Sequence, residues 1–452
     1  LRDLLLSQRE PQFDVALDKQ IAEAADDFTR IALKAKAAKD YFLLVGPPGT
    51  GKTSCALKKM VETFYKEEGA QILLLSYTNR AVDEICKALS SIRPEVDFIR
   101  VGSELSCDEN YRDHLIENEL ATCMRRTEVC ERINRCRILV GTVASISGKP
   151  ELFRLKHFDV AIVDEATQIL EPQLLGILCA KGENGKEGVG KFILIGDHKQ
   201  LPAVVLQNTE QSEVYDEALS AVGLKNLKDS LFERLYRTAR QHTDAHRTYD
   251  MLCRQGRMHP EVALFANQAF YEGRLLPVGL PHQLEDSGNI NRLSFYPSRP
   301  EPMGSSAKTN HSEAKIAARL AATVYKEHSE AFDASRTLGI ITPYRSQIAL
   351  IKKEIEVLGI SELNQILIDT VERFQGSERD VIIYSFCVNY PYQLKFLSNL
   401  TEEDGILIDR KLNVALTRAR KQMLLTGVPT LLERNPLYKS LLKLIESLRN
   451  IA

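Results

Sequence analysis

The run YFLLVGPPGTGKTS, Tyr41 to Ser54, decides the fold, because five apolar residues lead into a glycine-rich loop that ends in Gly-Lys-Thr. The loop fits the spacing G-x-x-x-x-G-K-[ST], which binds phosphate when a strand precedes it and a helix follows it. Its glycines let the backbone curl so that successive amide groups point at phosphate oxygens, and the following helix adds its positive N-terminal end. The sequence therefore predicts a nucleotide-binding α/β unit.

Individual residues of this loop have expected roles in binding a nucleotide. Lys52 is long enough to reach the β- and γ-phosphates, and the hydroxyl of Thr53 is a ligand for Mg²⁺. The alternative is a glycine-rich turn without a ligand, and the strand–loop–helix context argues against it. The predicted nucleotide-binding residues are Gly46, Pro47, Pro48, Gly49, Thr50, Gly51, Lys52, Thr53 and Ser54.

An acidic pair follows the apolar run 158–163. At the carboxyl end of a parallel strand, such a pair faces the crevice in which ligands bind. We expect Asp164 to complete the Mg²⁺ site with Thr53, and Glu165 to orient and deprotonate a water molecule. Acidic residues after a strand also begin helices, so the pair acquires this meaning only together with the phosphate loop.

A third polar segment, GDHKQLP, runs from Gly196 to Pro202 at the end of the apolar run 191–196. Gln200 is the candidate sensor of the γ-phosphate, through its side-chain amide, and Asp197 is expected to brace the loop. The alternative interpretation is a polar turn that Pro202 closes.

Short apolar runs alternate with amphipathic stretches along the chain, which predicts parallel sheets covered by helices. Strands are predicted at 41–45, 71–77, 137–142, 158–163, 191–196, 337–342, 366–371, 380–387 and 422–427, and helices at 54–68, 80–90, 312–329, 344–358 and 412–421. We expect two tandem α/β units, 1–240 and 241–452. Residues 87–136 are charged and helix-prone with no clear strand, which predicts an inserted helical subdomain in the first unit. Residues 277–311, rich in Pro, Ser and Asn, are expected to be irregular.

The composition is that of an ordinary globular protein, 44% hydrophobic and 27% charged, with a formal net charge of −2. Any nucleic-acid surface must therefore be a local patch or groove. No apolar run is long enough to span a bilayer, and no secretory signal is visible. Nine cysteines, an odd number scattered along the chain, argue against a disulfide framework. We expect an intracellular protein, cytoplasmic or nuclear.

Six motifs occur in a fixed order: GPPGTGKT, DEATQ, GDHKQLP, GRMHPE, FQGSERD and NVALTRAR. Together they resemble the helicase motifs of superfamily 1, and GDHKQLP followed by Ala203-Val204-Val205 resembles the 1B branch. That group includes the nonsense-mediated-decay RNA helicase, senataxin-type helicases and the replication nuclease-helicase. The resemblance spans about Gln20 to Gly427. It implies two tandem RecA-like domains, ATP and Mg²⁺ as cofactors, and a helicase or translocase that moves 5′ to 3′ along single-stranded DNA or RNA.

The resemblance also implies roles for residues outside the loop. Gln20 is similar to the glutamine that reads adenine, and Glu378 to the residue near the ribose. Arg257 and Arg418 match the two arginines that the second domain of the family points at the γ-phosphate. Gly256 is a departure, because the family usually has an aromatic residue there that stacks on the base. Residues in segments similar to strand-contacting motifs are Ser76, Thr78, Asn79, Thr142, Tyr344, Arg345 and Gln375.

Other classes of P-loop protein fit the motifs less well. A GTPase switch needs an NKxD-type motif after the second carboxylate strand, and none is present. A ring-forming ATPase borrows its arginine from a neighbour, whereas this chain has candidates of its own, which favours a monomeric motor core. An ATPase that remodels nucleoprotein complexes without unwinding remains an open alternative. The chain begins at Leu1 rather than Met, so we expect a part of a larger protein.

Overall fold

The computed structural model describes residues 2–241, 245–286, 288 and 290–449. The chain divides into two compact units. Unit 1 comprises Leu1–Pro47, Gly51–His198 and Pro202–Leu252, and unit 2 comprises Pro48–Thr50, Lys199–Leu201 and Cys253–Ala452. The main change from one unit to the other thus falls after Leu252, and the boundary predicted from the sequence was after residue 240.

Unit 1 is built on a seven-stranded sheet in the order β3-β4-β2-β5-β6-β1-β7, in which every pair is parallel. Its strands are β1 Tyr41–Val45, β2 Ile72–Ser76, β3 Phe98–Val101, β4 Ile138–Thr142, β5 Phe158–Val163, β6 Val189–Gly196 and β7 Tyr249–Met251. Side chains of β1 alternate between two apolar clusters, with Leu43 and Val45 in one and Phe42 and Leu44 in the other. Both faces of the sheet are therefore covered, as a parallel sheet requires.

The helices of unit 1 are α1 Arg2–Leu5, α2 Asp18–Ala22, α3 Asp27–Ala37, α4 Lys58–Tyr65, α5 Asn79–Ser90, α6 Ile116–Glu119, α7 Arg126–Arg135, α8 Val143–Ser147, α9 Glu151–Leu155, α10 Glu171–Leu178, α11 Thr209–Ser212, α12 Glu217–Ala221, α13 Leu231–Ala239 and α14 Ala245–Thr248. A π-helical turn, Lys52–Leu57, connects the phosphate loop to α4. The turn and α4 together confirm the predicted helix at 54–68, and α5 confirms the predicted helix at 80–90.

The prediction that residues 87–136 lack a strand is wrong. Strand β3 lies within them and pairs with β4 in parallel. It is only four residues long and contains Arg100, so it gives no apolar run of strand length. The structure accommodates the arginine by burying it in an ion pair with Asp83 and a hydrogen bond from Nη2 to the Ser106 carbonyl, 3.3 Å.

Unit 2 is built on a five-stranded parallel sheet in the order β10-β16-β13-β11-β12. Its strands are β8 Arg254–Gln255, β9 Leu276–Pro277, β10 Leu293–Pro297, β11 Leu338–Ile341, β12 Leu367–Asp369, β13 Arg379–Ser385, β14 Leu400–Glu403, β15 Ile406–Asp409 and β16 Ala419–Gly427. Its helices are α15 Pro260–Phe270, α16 Pro281–Leu284, α17 His311–Glu327, α18 Arg345–Glu356, α19 Val371–Phe374, α20 Leu394–Leu397, α21 Arg410–Leu416, α22 Pro429–Leu432 and α23 Pro436–Arg449. Strands β8 and β9 form a separate parallel pair, and β14 and β15 an antiparallel hairpin.

Two predictions for unit 2 are wrong. Residues 277–311 were expected to be irregular, but they contain β10, which pairs with β16 and forms the edge of the sheet. The predicted helix 412–421 ends at Leu416, and β16 begins at Ala419, which pairs with Arg379. The run ARKQ, from Ala419, has helix-favouring residues, and pairing with β13 overrides that local preference.

The architecture confirms the expected fold class, two tandem α/β units each with a parallel sheet. Among the described residues, no helix combines the length and the apolar character needed to cross a membrane.

Candidate functional site

The phosphate loop begins where β1 ends. The backbone N–H of Gly46 donates to the Gly196 carbonyl, 2.9 Å, which ties the start of the loop to the end of β6. Gly49 and Gly51 have φ values of 74° and 77°, a left-handed conformation that costs glycine least. A Cβ on Gly46 would overlap the aliphatic chain of Lys52, so the lysine folds back over the loop only because residue 46 is glycine.

Four predicted residues meet at the end of the loop. The Thr53 hydroxyl donates to Oδ2 of Asp164, and Lys52 Nζ lies 3.7 Å from Oε1 of Glu165. Asp164 follows β5 directly, and its backbone N–H donates to the Leu75 carbonyl, 2.8 Å. The sheet therefore sets the place of the carboxylates, and the loop sets the place of the lysine and the threonine.

The electrostatics of this cluster suit a divalent cation. Asp164 is buried. This burial, the larger cause, and the neighbouring charge of Glu165 both raise the pKa of Asp164 above its ordinary value. Hard oxygen ligands from Thr53 and Asp164 fit Mg²⁺, which usually keeps several waters and binds through one or two carboxylates plus phosphates. No group of three or more His, Cys, Asp or Glu residues with metal-binding geometry occurs in the described part of the chain.

Glu165 has an unusual backbone. Its φ of 53° is left-handed, which costs a non-glycine residue about 1–3 kcal/mol and is characteristic of functional positions. Its Oε2 accepts a hydrogen bond from Nε2 of Gln168, 3.1 Å, and its N–H donates to Oδ1 of Asp164, 2.9 Å. The carboxylate is thus held in a defined direction beside Lys52.

Gln200 and Arg418 are brought together within unit 2, to which Lys199–Leu201 belongs. Nη2 of the buried Arg418 donates to Oε1 of Gln200, 3.3 Å, and to the hydroxyl of Thr417, 3.2 Å. Its Nε donates to the Val414 carbonyl, 3.0 Å, so the last turn of α21 orients the guanidinium.

Arg257 and Glu378 form an ion pair in unit 2, with 2.5 Å between Nε and Oε2. Arg257 follows β8, and its N–H donates to Oε1 of Gln255, 2.9 Å. Burial raises the pKa of Glu378, but the charges of Arg257, Arg420 and Arg418 outweigh burial, so the pKa lies below its ordinary value. Glu378 therefore stays ionised and positions Arg257, a contact that the sequence analysis did not predict.

Gln20 lies exposed on α2, and a different residue approaches the phosphate loop. A Cβ on Gly51 would lie 3.6 Å from Cζ of Phe28 and 3.2 Å from Sγ of Cys55. Phe28 is in the first turn of α3 and is half-buried. No pattern in the sequence predicted a role for Phe28, although Asp26 marks this helix start, because its side chain caps α3 by accepting the Thr29 N–H, 2.9 Å.

The strand-contact candidates of unit 1 lie at the carboxyl ends of neighbouring strands. Ser76 and Thr142 are register partners on β2 and β4. Ser76 is buried and its hydroxyl donates to the Asp164 carbonyl, 3.1 Å. Thr142 caps α8, and Thr78 caps α5, of which Asn79 is the first residue.

The candidates of unit 2 differ in their surroundings. The hydroxyl of Tyr344, at the start of α18, accepts a hydrogen bond from Nε2 of Gln393, 3.1 Å. Arg345 is exposed. Gln375 follows α19 and is half-buried, and its Nε2 has no hydrogen-bond partner among the described residues.

Comparisons with known proteins agree with the motifs. Two protein-family models, both described as an AAA domain, match residues 23–129 and 116–208 in one case and 227–430 in the other. The chain is 29% identical to the bovine (Bos taurus) DNA replication ATP-dependent helicase/nuclease DNA2, over 99% of this chain and 42% of that protein. It is 28% identical to the DNA replication ATP-dependent helicase/nuclease JHS1 of Arabidopsis thaliana, over 99% of this chain and 32% of that protein.

These curated relatives are considerably longer, and the chain spans less than half the length of each. A solved complex of the arterivirus nonstructural protein 10 (helicase) with DNA is 15% identical, with a TM-score of 0.41 over 88% of this chain and 62% of that one.

Proposed function

We propose that this chain, whose motifs resemble those of the superfamily 1B helicases and most of which two AAA-domain family models match, hydrolyses ATP and uses the energy to move 5′ to 3′ along single-stranded nucleic acid and to unwind duplexes. The observation that supports hydrolysis most strongly is the cluster of Lys52, Thr53, Asp164 and Glu165 at the ends of β1 and β5. It combines a phosphate-binding cation, two oxygen ligands for a metal and a carboxylate base in one place.

The chemistry that we propose assigns one task to each of these residues. Mg²⁺, held by the Thr53 hydroxyl and the Asp164 carboxylate, would neutralise charge on the β- and γ-phosphates. Lys52 binds the same phosphates, and Glu165 accepts the proton of the water whose oxygen attacks the γ-phosphorus as the bond to the ADP oxygen breaks. Gln200, Arg257 and Arg418 are proposed to contact the γ-phosphate.

DNA is the polymer that we favour, because the names of the relatives describe DNA replication helicase/nucleases. Of the two activities in these names, we propose the helicase activity for this chain, because its motifs are helicase motifs. Nuclease activity is not proposed for this chain, which covers less than half of each relative. Action on cellular DNA or RNA would place the protein inside the cell.

Unwinding and its direction are tested with fluorescent duplexes that carry a single-stranded tail at the 5′ or the 3′ end. We expect ATP-dependent strand separation from the 5′-tailed duplex and little from the 3′-tailed one. Strict 3′-tail dependence would refute the polarity. If the protein displaces streptavidin from a biotinylated single strand but separates neither duplex, it is a translocase that remodels complexes without unwinding.

A further inference from the structure

The segment between β13 and β14 presents aromatic rings to solvent. Tyr392 is 55% exposed and Phe396 is 64% exposed. The ring of Tyr392 stacks on that of Tyr390, with centroids 5.8 Å apart and planes 12° apart. Aromatic side chains ordinarily bury most of their large apolar area, so two exposed rings four residues apart make this segment a candidate binding surface.

The backbone that carries these rings is anchored. Gln393, between them in the sequence, is buried, and its Oε1 accepts the N–H groups of Asn389 and Tyr390, both at 2.9 Å. Its Nε2 donates to the Ala307 carbonyl, 2.6 Å. Leu397 is buried at the other end of the segment. A surface fixed in advance loses little conformational freedom when a ligand binds, which favours affinity.

Gln393 also connects this segment to Tyr344, a predicted strand contact, through the hydrogen bond from its Nε2 to the Tyr344 hydroxyl, 3.1 Å. The neighbouring Arg345 is exposed, as is Lys395 within the segment. The exposed rings are therefore close in structure to residues for which a nucleic-acid contact is already predicted, and cationic side chains accompany them.

Acidic groups near the segment limit what the surface can bind. The β14–β15 hairpin carries Glu402, Glu403 and Asp404, whereas Glu372 is neutralised by Lys411, 3.0 Å away. Lys411 Nζ also donates to the Phe396 carbonyl, 3.3 Å. Because acidic and basic groups both occur here, charge alone does not select a polyanion, and the exposed rings are the feature that can bind the faces of bases.

We propose that Tyr392 and Phe396 form a stacking platform for the unpaired bases of single-stranded nucleic acid. Stacking tolerates any sequence because every base has a π-face, which suits a motor that must step along arbitrary sequences. The inference rests on the proposed function, since it names a contact for the same strand.

The test compares wild type with the double variant Tyr392→Ala/Phe396→Ala by fluorescence anisotropy on two probes, oligothymidylate and an abasic strand of equal length. Each lost stack should weaken binding of oligothymidylate by about 5- to 150-fold and leave binding of the abasic strand unchanged. Tyr215→Ala, which removes an 80% exposed tyrosine from unit 1, is the matched control and should change neither. Tyr392→Leu/Phe396→Leu keeps the apolar bulk without the π-face and covers the case in which the alanine variant fails to fold.

The outcomes separate this inference from the proposed function. Equal affinity of wild type and the leucine variant for oligothymidylate, with a wild-type ATPase that the same strand stimulates, would overturn the platform and leave the motor intact. Equal weakening on both probes would also overturn it, because the loss would then not depend on bases. A wild type that neither binds nor responds to any single strand would overturn both.

Discussion

Lys52 Nζ lies 3.7 Å from Oε1 of Glu165, and the two side chains are only 12% and 24% exposed. The lysine expected to bind phosphate is thus paired with the carboxylate expected to activate water. When a γ-phosphate binds Lys52, it competes with Glu165 for the charge of the lysine, which leaves Glu165 free to accept a proton. Nucleotide binding would in this way prepare the base for its task.

Mg²⁺ binding should depend on pH through Asp164. Its pKa is raised by burial and by Glu165, so a proton occupies the carboxylate more readily than usual and competes with the cation. We expect the dependence of fluorescent ATP-analogue binding on Mg²⁺ to weaken as pH falls through this pKa, and to be absent in Asp164→Asn.

The control for this measurement is Asp113→Asn, which removes an exposed carboxylate of unit 1. Binding by Asp164→Asn that responds to Mg²⁺ as strongly as the wild type would remove Asp164 from the metal site.

Arg418 should affect turnover more than nucleic-acid binding. Its guanidinium contacts Gln200, the proposed sensor of the γ-phosphate, and arginine at such a site stabilises charge that develops in phosphoryl transfer. We expect Arg418→Lys to lower kcat by about 10³-fold. The exposed Arg434→Lys serves as control. Loss of strand binding with normal kcat would sink the assignment.

Phe28 and Gln20 give different expectations for nucleotide selectivity. The ring of Phe28 packs beside Gly51 and has no hydrogen-bonding group with which to distinguish bases. We expect Phe28→Ala to raise the KM for ATP and GTP alike. If Gln20 reads adenine, as the family resemblance implies, Gln20→Ala will instead raise the KM for ATP alone. Steady-state kinetics of each variant with both nucleotides test the two expectations separately.

Glu313 should make stability fall as pH rises. It is fully buried on α17, and this burial raises its pKa from 4.5 to about 7 although its carboxylate accepts the Cys387 N–H, 2.8 Å, and the Ser385 hydroxyl, 2.7 Å. The folded state therefore binds this proton more tightly than the unfolded state. This difference contributes at most about 3 kcal/mol to the free energy of unfolding. The contribution is complete below pH 4.5 and is lost as pH rises to about 7.

Glu313→Gln isolates that contribution, because glutamine stays neutral throughout. Scanning calorimetry on either side of this window should give a smaller fall in Tm for the variant than for the wild type. An identical fall in both proteins would show that Glu313 does not titrate in this range.

The strands next to the motifs could be predicted because their cores are uninterrupted apolar runs, as in β1 and β5, and the residues that follow them meet at one edge of the sheet. Strand β3 could not, since Arg100 interrupts it and its partner Asp83 is distant in sequence. The left-handed backbone of Glu165 and the approach of Phe28 to Gly51 depend on tertiary packing, which leaves no local pattern. The hydrogen bond that Gln393 donates to the Tyr344 hydroxyl likewise joins segments that are far apart in the sequence.

The most direct test of the motor is the ATPase rate with and without single-stranded DNA and RNA, beside Glu165→Gln as the catalytically inactive reference. We predict strong stimulation of the wild type by a single strand, greater with DNA, and no turnover by the variant under any condition. Basal hydrolysis that neither polymer changes would contradict the account and favour a P-loop ATP switch. Wild-type turnover by Glu165→Gln would contradict the assignment of the base.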